Sequence, residues 1–84
     1  MFEPTSPHGT WRFSHQYDGG EKSCGELILE LRTVFNALPD GAVVRVRTLD
    51  PGAPIDLPAW CNVTGHRLLE RDHPWYLIGR RPAD

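Results

Sequence analysis

One short run, AVVRVRTL at residues 42–49, constrains the fold more than any other part of the sequence. Valine and arginine alternate in it, so the valines are expected on one side of a strand and Arg45 and Arg47 on the other. A sheet in a small domain often buries one face only, and the arginine face is therefore predicted to be open to solvent or to a partner. Turn signals at 39–41 and 50–54 bound the strand.

A helix pattern precedes this strand. The run SCGE at residues 23–26 fits a capping box, in which Ser23 accepts a hydrogen bond from the amide of Glu26 and the Glu26 side chain reaches back to Ser23. Cys24 is then the first helical residue. The helix is predicted to stop at the turn that begins with Pro39. Its apolar face is predicted to consist of Leu27, Ile28, Leu31, Val34, Phe35 and Leu38.

Four further elements follow from periodicity and turn residues. They are a strand at 10–17, a helix at 55–65 and two strands at 66–71 and 75–81. Pro58 is tolerable only near the first turn of that second helix, and Gly65 suits its C-terminal cap. The order β-α-β-α-β-β predicts an α+β two-layer sandwich, with two helices packed on one face of a four-stranded mixed sheet.

Size and charge narrow the class of protein. The 84 residues allow one domain, predicted at 10–82 after a flexible, proline-rich N-terminal segment at 1–9. A formal charge of −2 without a basic block does not favour direct nucleic-acid binding. There is no apolar run long enough for a membrane span and no signal-peptide pattern at the start. A cytoplasmic protein with two free thiols is therefore expected.

Cys24 can be interpreted in two ways, as a small residue at a loop–helix junction or as a working thiolate. The positive end of a helix lowers a thiol pKa from about 8.5 towards about 7, and Lys22 adds a positive charge nearby. Gly25 leaves the sulfur accessible, whereas Glu21 and Glu26 disfavour a thiolate. The net prediction is a modestly activated, exposed thiol, and both interpretations stay open on spacing alone.

The other candidate ligands and nucleophiles are less specific. Cys61 falls on the apolar face of the second helix beside Trp60, which favours a structural packing role. The sequence has no C-x-x-C or H-x-x-x-H spacing, so neither a metal site nor a cofactor is expected. A nucleophilic Cys-His pair would require His15 or His66 to fold against Cys24.

From about residue 17 to 81 the chain resembles the TusA/SirA family of small sulfur carriers, which are sulfurtransferases. The most specific part is LDPGAPIDLPAWCNVTGHRLLE at 49–70. It has the family's acidic-Pro turn, a D-L-P run, an aromatic residue and a cysteine, and then G-H before a strand. The positions that match are Trp60, Cys61, Gly65 and His66.

The first half matches the family less completely. Family members carry a C-P-x-P motif at the start of the first helix, and here residues 24–27 read C-G-E-L. The cysteine is kept and Glu26 agrees with the common C-P-E-P form. The family's run before the motif cysteine is L-D-x-x-G-L-x-C, and Asp18, six residues before Cys24, matches its aspartate. Lys22 stands in place of the leucine that usually precedes the cysteine by two residues. Both motif prolines are absent.

The resemblance implies that Cys24 carries sulfane sulfur as a persulfide. A cysteine desulfurase or another persulfide donor would supply the sulfur, and a downstream sulfur-acceptor protein would receive it. The positions around Cys24 that the resemblance places in support are Asp18, Lys22, Ser23, Gly25 and Glu26. Two alternatives remain at this point: an interaction or regulatory module that keeps the fold without sulfur transfer, and a thiol redox sensor.

Overall fold

The computed structural model describes residues 11–81, so the predicted flexible segment at 1–9 lies outside the described residues. The elements come in the predicted order. They are β1 (His15–Gly20), α1 (Cys24–Asn36), β2 (Val43–Thr48), α2 (Ala53–Thr64), β3 (Arg67–Asp72) and β4 (Trp75–Gly79). The predicted α+β fold with the order β-α-β-α-β-β is therefore confirmed.

The four strands form one mixed sheet in the spatial order β1-β2-β4-β3. β1 runs parallel to β2, whereas β4 is antiparallel to both β2 and β3. The parallel pair needs a long crossover connection, and α1 supplies it. This arrangement brings the N-terminal ends of α1 and α2 close together, as the contacts of Cys24 below show.

A single core lies between the sheet and the two helices. The helix faces meet the side of β2 that carries Val44 and Val46, as the alternation predicts. The buried members are Leu27, Leu31, Phe35, Val44, Val46, Ala53, Leu57, Cys61, Tyr76 and Ile78. Ile28, Val34 and Leu38 pack against this core, so the predicted apolar face of α1 is confirmed.

β1 lies further along the chain than predicted. The sequence predicted a strand at 10–17 followed by a loop, but the strand begins at His15 and runs through Asp18 to Gly20. The parallel register with β2 continues to Gly20, with an irregularity after Asp18. Two glycines are poor strand formers, and here pairing with β2 and close approach to α1 override that preference.

Gly19 lets β1 approach α1 closely. A Cβ atom there would lie 2.6 Å from Cδ1 of Leu27 and 3.3 Å from the carbonyl oxygen of Arg47. Leu27 is fully buried, so its side chain could give way only by shifting within the core. We expect Gly19→Ala to lower the free energy of unfolding by about 1–3 kcal/mol, as overpacking does in other cores. Urea unfolding of the variant measures this loss.

Gly25→Ala is the matched control for Gly19→Ala. A Cβ atom at this helical position meets nothing within 4 Å. Alanine should therefore stabilise the protein by about 0.5–1 kcal/mol through its better helix propensity. Similar changes in both variants would contradict the steric explanation at Gly19.

α2 begins at Ala53, two residues before the predicted start at 55. The amide of Ala53 donates to the carbonyl oxygen of Asp50 at 3.1 Å, which starts the helix inside the DPGAP turn. Pro58 consequently lies in the helix interior, and its predicted place near the first turn is wrong. Packing of Leu57 and Cys61 in the core offsets the missing hydrogen bond. Gly65 caps the helix with φ 84°, as predicted.

The sheet face away from the helices is not as open as predicted. Arg47 reaches solvent and pairs with Asp18 at 2.9 Å, but Arg45 is only 2% exposed. The Arg45 guanidinium lies between the rings of Phe13 and Trp75, 4.6 and 4.5 Å from their centroids. Aromatic rings on both sides hold the cation by cation–π attraction and shield it from water. The prediction of an exposed arginine face is therefore wrong for Arg45.

Candidate functional site

α1 begins at Cys24, as predicted, with Ser23 in an extended conformation at the N-cap. The Ser23 side chain makes no capping hydrogen bond, so the predicted capping box is wrong. The side chains of Ser23 and Glu26 are both exposed, and water can satisfy the first amides of the helix there. The first intrahelical bond runs from the amide of Leu27 to the carbonyl oxygen of Ser23, at 2.8 Å.

Two carboxylates near the N-terminal end of α2 lie close to the Cys24 sulfur. Asp56 lies in the first turn of α2, and Asp50 lies in the turn that leads into α2. The Cys24 sulfur and one oxygen of each carboxylate are all within 4.8 Å of one another. Asp56 accepts a hydrogen bond from the thiol. The amide of Gly52 donates to Oδ2 of Asp50 at 3.2 Å and holds that carboxylate in place.

This environment makes the thiol hard to ionise. Burial raises the pKa of Cys24 to about 12, and the hydrogen bond to Asp56 and the negative charges of Asp56 and Asp50 act in the same direction. The predicted modest activation of the thiol is therefore wrong, because burial of the thiol, together with the nearby carboxylates, outweighs the positive end of α1. The sequence did contain a signal that could have pointed to both aspartates, because they belong to the LDPGAPID run, part of the segment that resembles the family most closely.

The predicted supporting residues are only partly brought together. Gly25 lines the same groove as Cys24. Asp18 is instead engaged by Arg47, and Nζ of Lys22 lies 3.9 Å from Oε1 of Glu30. Lys22 therefore does not offset the negative charge beside the thiol.

An open groove of about 490 Å³ runs between α1 and α2 from Cys24. Its lining is mostly apolar, and two of the lining side chains, Leu29 and Val63, are 65% and 85% exposed. The lining residues are Cys24, Gly25, Ile28, Leu29, Asp56, Ala59, Trp60 and Val63. Contiguous exposed apolar side chains beside a thiol are typical of a surface that a partner covers.

Cys61 lies in the core. It is 4% exposed, and burial raises the pKa of its thiol to about 11. Both cysteines are free thiols. Cys61 therefore packs as a small apolar residue, and Cys24 is the cysteine that solvent and partners can reach.

The two candidate histidines have other partners than Cys24. Nδ1 of His15 is hydrogen-bonded to the hydroxyl of Ser14 at 2.9 Å. The ring of His66 lies against Phe35 and Trp60, and its Nδ1 accepts the amide of Arg81 at 3.1 Å. Burial lowers the pKa of His66, as do the positive charges of Arg80 and Arg81. The idea of a nucleophilic Cys-His pair is thus not supported for either histidine.

The donor atoms of Cys24, Asp50 and Asp56 come close enough to surround a cation. Acidic groups commonly converge in this way without binding a metal, so the cluster alone does not identify a metal site. Neither helix in the part of the chain that the structure describes has the length and hydropathy needed to cross a membrane.

Comparison with known proteins bears on this site. The family model described as "Sulfurtransferase TusA" matches residues 15–78, which include Cys24, Asp50, Asp56 and the groove. The protein named "Sulfur carrier protein TusA" from Pseudomonas putida (strain W619) is 35% identical over 49 residues, which are 58% of this chain and 61% of the relative. The protein named "Putative sulfur carrier protein YrkI" from Bacillus subtilis (strain 168) is 37% identical over 49 residues, 58% of this chain and 65% of the relative. The match thus spans less than two thirds of either relative.

Proposed function

The chain belongs to the TusA family of sulfurtransferases, and we propose from this that it is a sulfur carrier that holds sulfane sulfur as a persulfide on Cys24. The observation that carries the proposal is the position of this thiol. Cys24 is the first residue of α1 and opens onto an apolar surface groove, whereas Cys61 is buried. A carrier needs a thiol that two successive partners can reach.

The loading step moves one sulfur atom without net oxidation. The Cys24 sulfur attacks the outer sulfur of a cysteine persulfide on the donor. The new S–S bond forms as the donor's own S–S bond breaks, and the donor cysteine takes up the proton that Cys24 gives up. Asp56 is the acceptor of the thiol hydrogen bond, so it is placed to hold that proton during the attack.

The unloading step repeats the same exchange in the other direction. A thiolate of the acceptor attacks the outer sulfur of the Cys24 persulfide, and Cys24 returns to its protonated form. The donor in this proposal is a cysteine desulfurase or another persulfide donor, and the receiver is a downstream sulfur-acceptor protein. The proposed location is the cytoplasm, where thiols stay reduced.

An interaction module without sulfur transfer is the second candidate. The observation in its favour is the thiol pKa of about 12, which leaves very little thiolate at neutral pH. If this candidate is correct, Cys24→Ala keeps partner binding and cellular function unchanged.

Sulfur loading of the purified protein tests the carrier proposal. Incubation with a cysteine desulfurase and cysteine should increase the mass by about 32 Da, one sulfur atom bound to a thiolate. Cys24→Ser should abolish the increase, and Cys61→Ala should keep it because Cys61 is buried. An unchanged mass of the native protein with every persulfide donor tried, or equal loading of Cys24→Ser, would overturn the proposal.

A further inference from the structure

The negative charge beside Cys24 has no counter-charge within residues 11–81. The three described ion pairs of basic side chains lie elsewhere, Arg47 with Asp18, Arg80 with Asp40 and Lys22 with Glu30. Asp50 and Asp56 are both partly buried, so solvent screens their charges less than on an open surface. Two unpaired carboxylates at one point of the surface favour a positive group from outside the chain.

The same two carboxylates stand at one end of the apolar groove. Asp56 lines the groove, and Leu29 and Val63 extend its apolar surface away from the thiol. Ile55 lies one residue from Asp56 and is 76% exposed. A partner that covers this surface thus contacts apolar side chains along the groove and the two carboxylates at the end where the Cys24 sulfur lies.

We propose that the groove docks the sulfur donor through an apolar segment that carries one lysine or arginine side chain, which lies against Asp50 and Asp56 when the donor persulfide reaches Cys24. This inference rests on the proposed carrier function and adds the chemistry of the partner. Apolar burial supplies affinity, and the charge pair determines which partners are accepted.

The arrangement also connects docking with reactivity. A cation placed against Asp56 offsets the negative charge that holds the thiol proton, so the sulfur becomes a better nucleophile only while the donor is bound. A donor with an acidic segment near its persulfide is repelled at the same place. The groove therefore selects donors by charge at the point where the sulfur is exchanged.

Small disulfides of different charge test this selection without a protein partner. Cystamine is cationic, bis(2-hydroxyethyl) disulfide is neutral and dithiodiglycolate is anionic. Each exchanges with Cys24 to give a mixed disulfide and one free small thiol, and the rate is followed by mass spectrometry. We expect cystamine to react at least about tenfold faster than dithiodiglycolate at low salt, since one unit-charge contact changes a rate by roughly fivefold even with the full screening of bulk water.

Each probe rate is divided by its rate with free cysteine, which removes the intrinsic reactivity of the disulfides. In the Asp50→Asn/Asp56→Asn variant the ratio of the cystamine rate to the dithiodiglycolate rate should fall close to one. A general change in thiol reactivity multiplies both rates equally and leaves the ratio unaffected. High salt should also reduce the ratio in the native protein, because the Debye length falls to about 3 Å at 1 M.

Glu26→Gln is the matched control for charge. It removes one carboxylate from the first turn of α1, but the exposed Glu26 side chain is not part of the groove lining. Its cystamine preference should stay within about twofold of the native value, as expected for a screened surface charge. Cys24→Ser corrects for any reaction at Cys61. Equal rates with all three disulfides in the native protein, or the same preference in the double variant, would overturn the proposal.

Loading by a cysteine desulfurase separates this inference from the carrier function. If the double variant is loaded at a lower rate while Cys24 remains the loaded residue, both proposals hold. Each loading rate is divided by the iodoacetamide alkylation rate of the same protein, because the thiol of the double variant is expected to be more reactive. If this normalised loading rate is the same in the double variant as in the native protein, the carrier function stands and the docking proposal is wrong. If the charge preference is present but no donor loads the native protein, the carrier function fails independently of the groove.

Discussion

Cys24 should be alkylated by iodoacetamide at pH 8 at least about a hundredfold more slowly than a cysteine in an unfolded peptide, because only the thiolate reacts and a raised pKa makes it scarce. Burial and the carboxylates of Asp56 and Asp50 raise the pKa of Cys24 from 9.0 to about 12. The rate should keep rising with pH up to about 12, whereas the peptide rate levels off near pH 9. Alkylation that is quenched at a series of times and analysed by peptide mass spectrometry measures the pH profiles of the protein and of the peptide.

The Asp50→Asn/Asp56→Asn variant shows how much of this protection comes from the carboxylates. It should react about tenfold faster than the native protein at pH 8, which corresponds to one pKa unit. Burial of the thiol remains in the variant, so recovery of the full peptide rate is not expected. Glu26→Gln, which removes a charge outside the groove, should leave the rate nearly unchanged. Superimposable profiles of the native protein and the double variant would show that the carboxylates have no influence on the thiol.

Restoring the two motif prolines should have opposite outcomes at the two positions. Leu27→Pro should leave little folded protein, since proline in a helix costs about 3 kcal/mol and losing a buried leucine costs a further 2–5 kcal/mol. The amide of Leu27 makes the first intrahelical bond, to Ser23, and its side chain is fully buried. This total approaches the whole stability of a small domain. Circular dichroism and urea unfolding measure the loss.

Gly25→Pro should be tolerated, with a change within about 1 kcal/mol, because proline is accepted in the first turn of a helix. The chain already has this arrangement in α2, where Pro54 is the second helical residue. Leu27→Ala is the control for Leu27→Pro, and it should retain more stability because it keeps the amide. A folded, stable Leu27→Pro protein would show that α1 can begin one residue later than it does here.

Local patterns were sufficient for much of the fold. The alternation of β2, the apolar face of α1 and the Gly65 cap were correctly predicted, because each depends on neighbours within one or two turns of the chain. β1 was misplaced because its strand conformation at Asp18–Gly20 depends on pairing with β2 and on contact with α1. Such tertiary effects override the low strand propensity of glycine.

The place of Cys24 at a helix start was predicted, but the chemical environment of its thiol was not. The start of α1 at Cys24 follows from sequence, whereas the contact with Asp56 joins residues 32 positions apart in the chain. Only the packing of two helix ends against each other creates it. In the same way, Arg45 is buried by Phe13 and Trp75, which come from opposite ends of the sequence. Periodicity within β2 contains no information about either ring.

Under the proposed carrier function, the carboxylates beside Cys24 also affect how long a sulfur bound to Cys24 stays in place. A thiol that binds its proton tightly is a poor leaving group, and thiol exchange slows as the leaving thiol becomes more basic. Sulfur bound to Cys24 should then pass slowly to small free thiols such as glutathione, even though the groove is open to solvent. Asp50 and Asp56 would in this way give the cargo a long residence time and limit its loss between donor and acceptor.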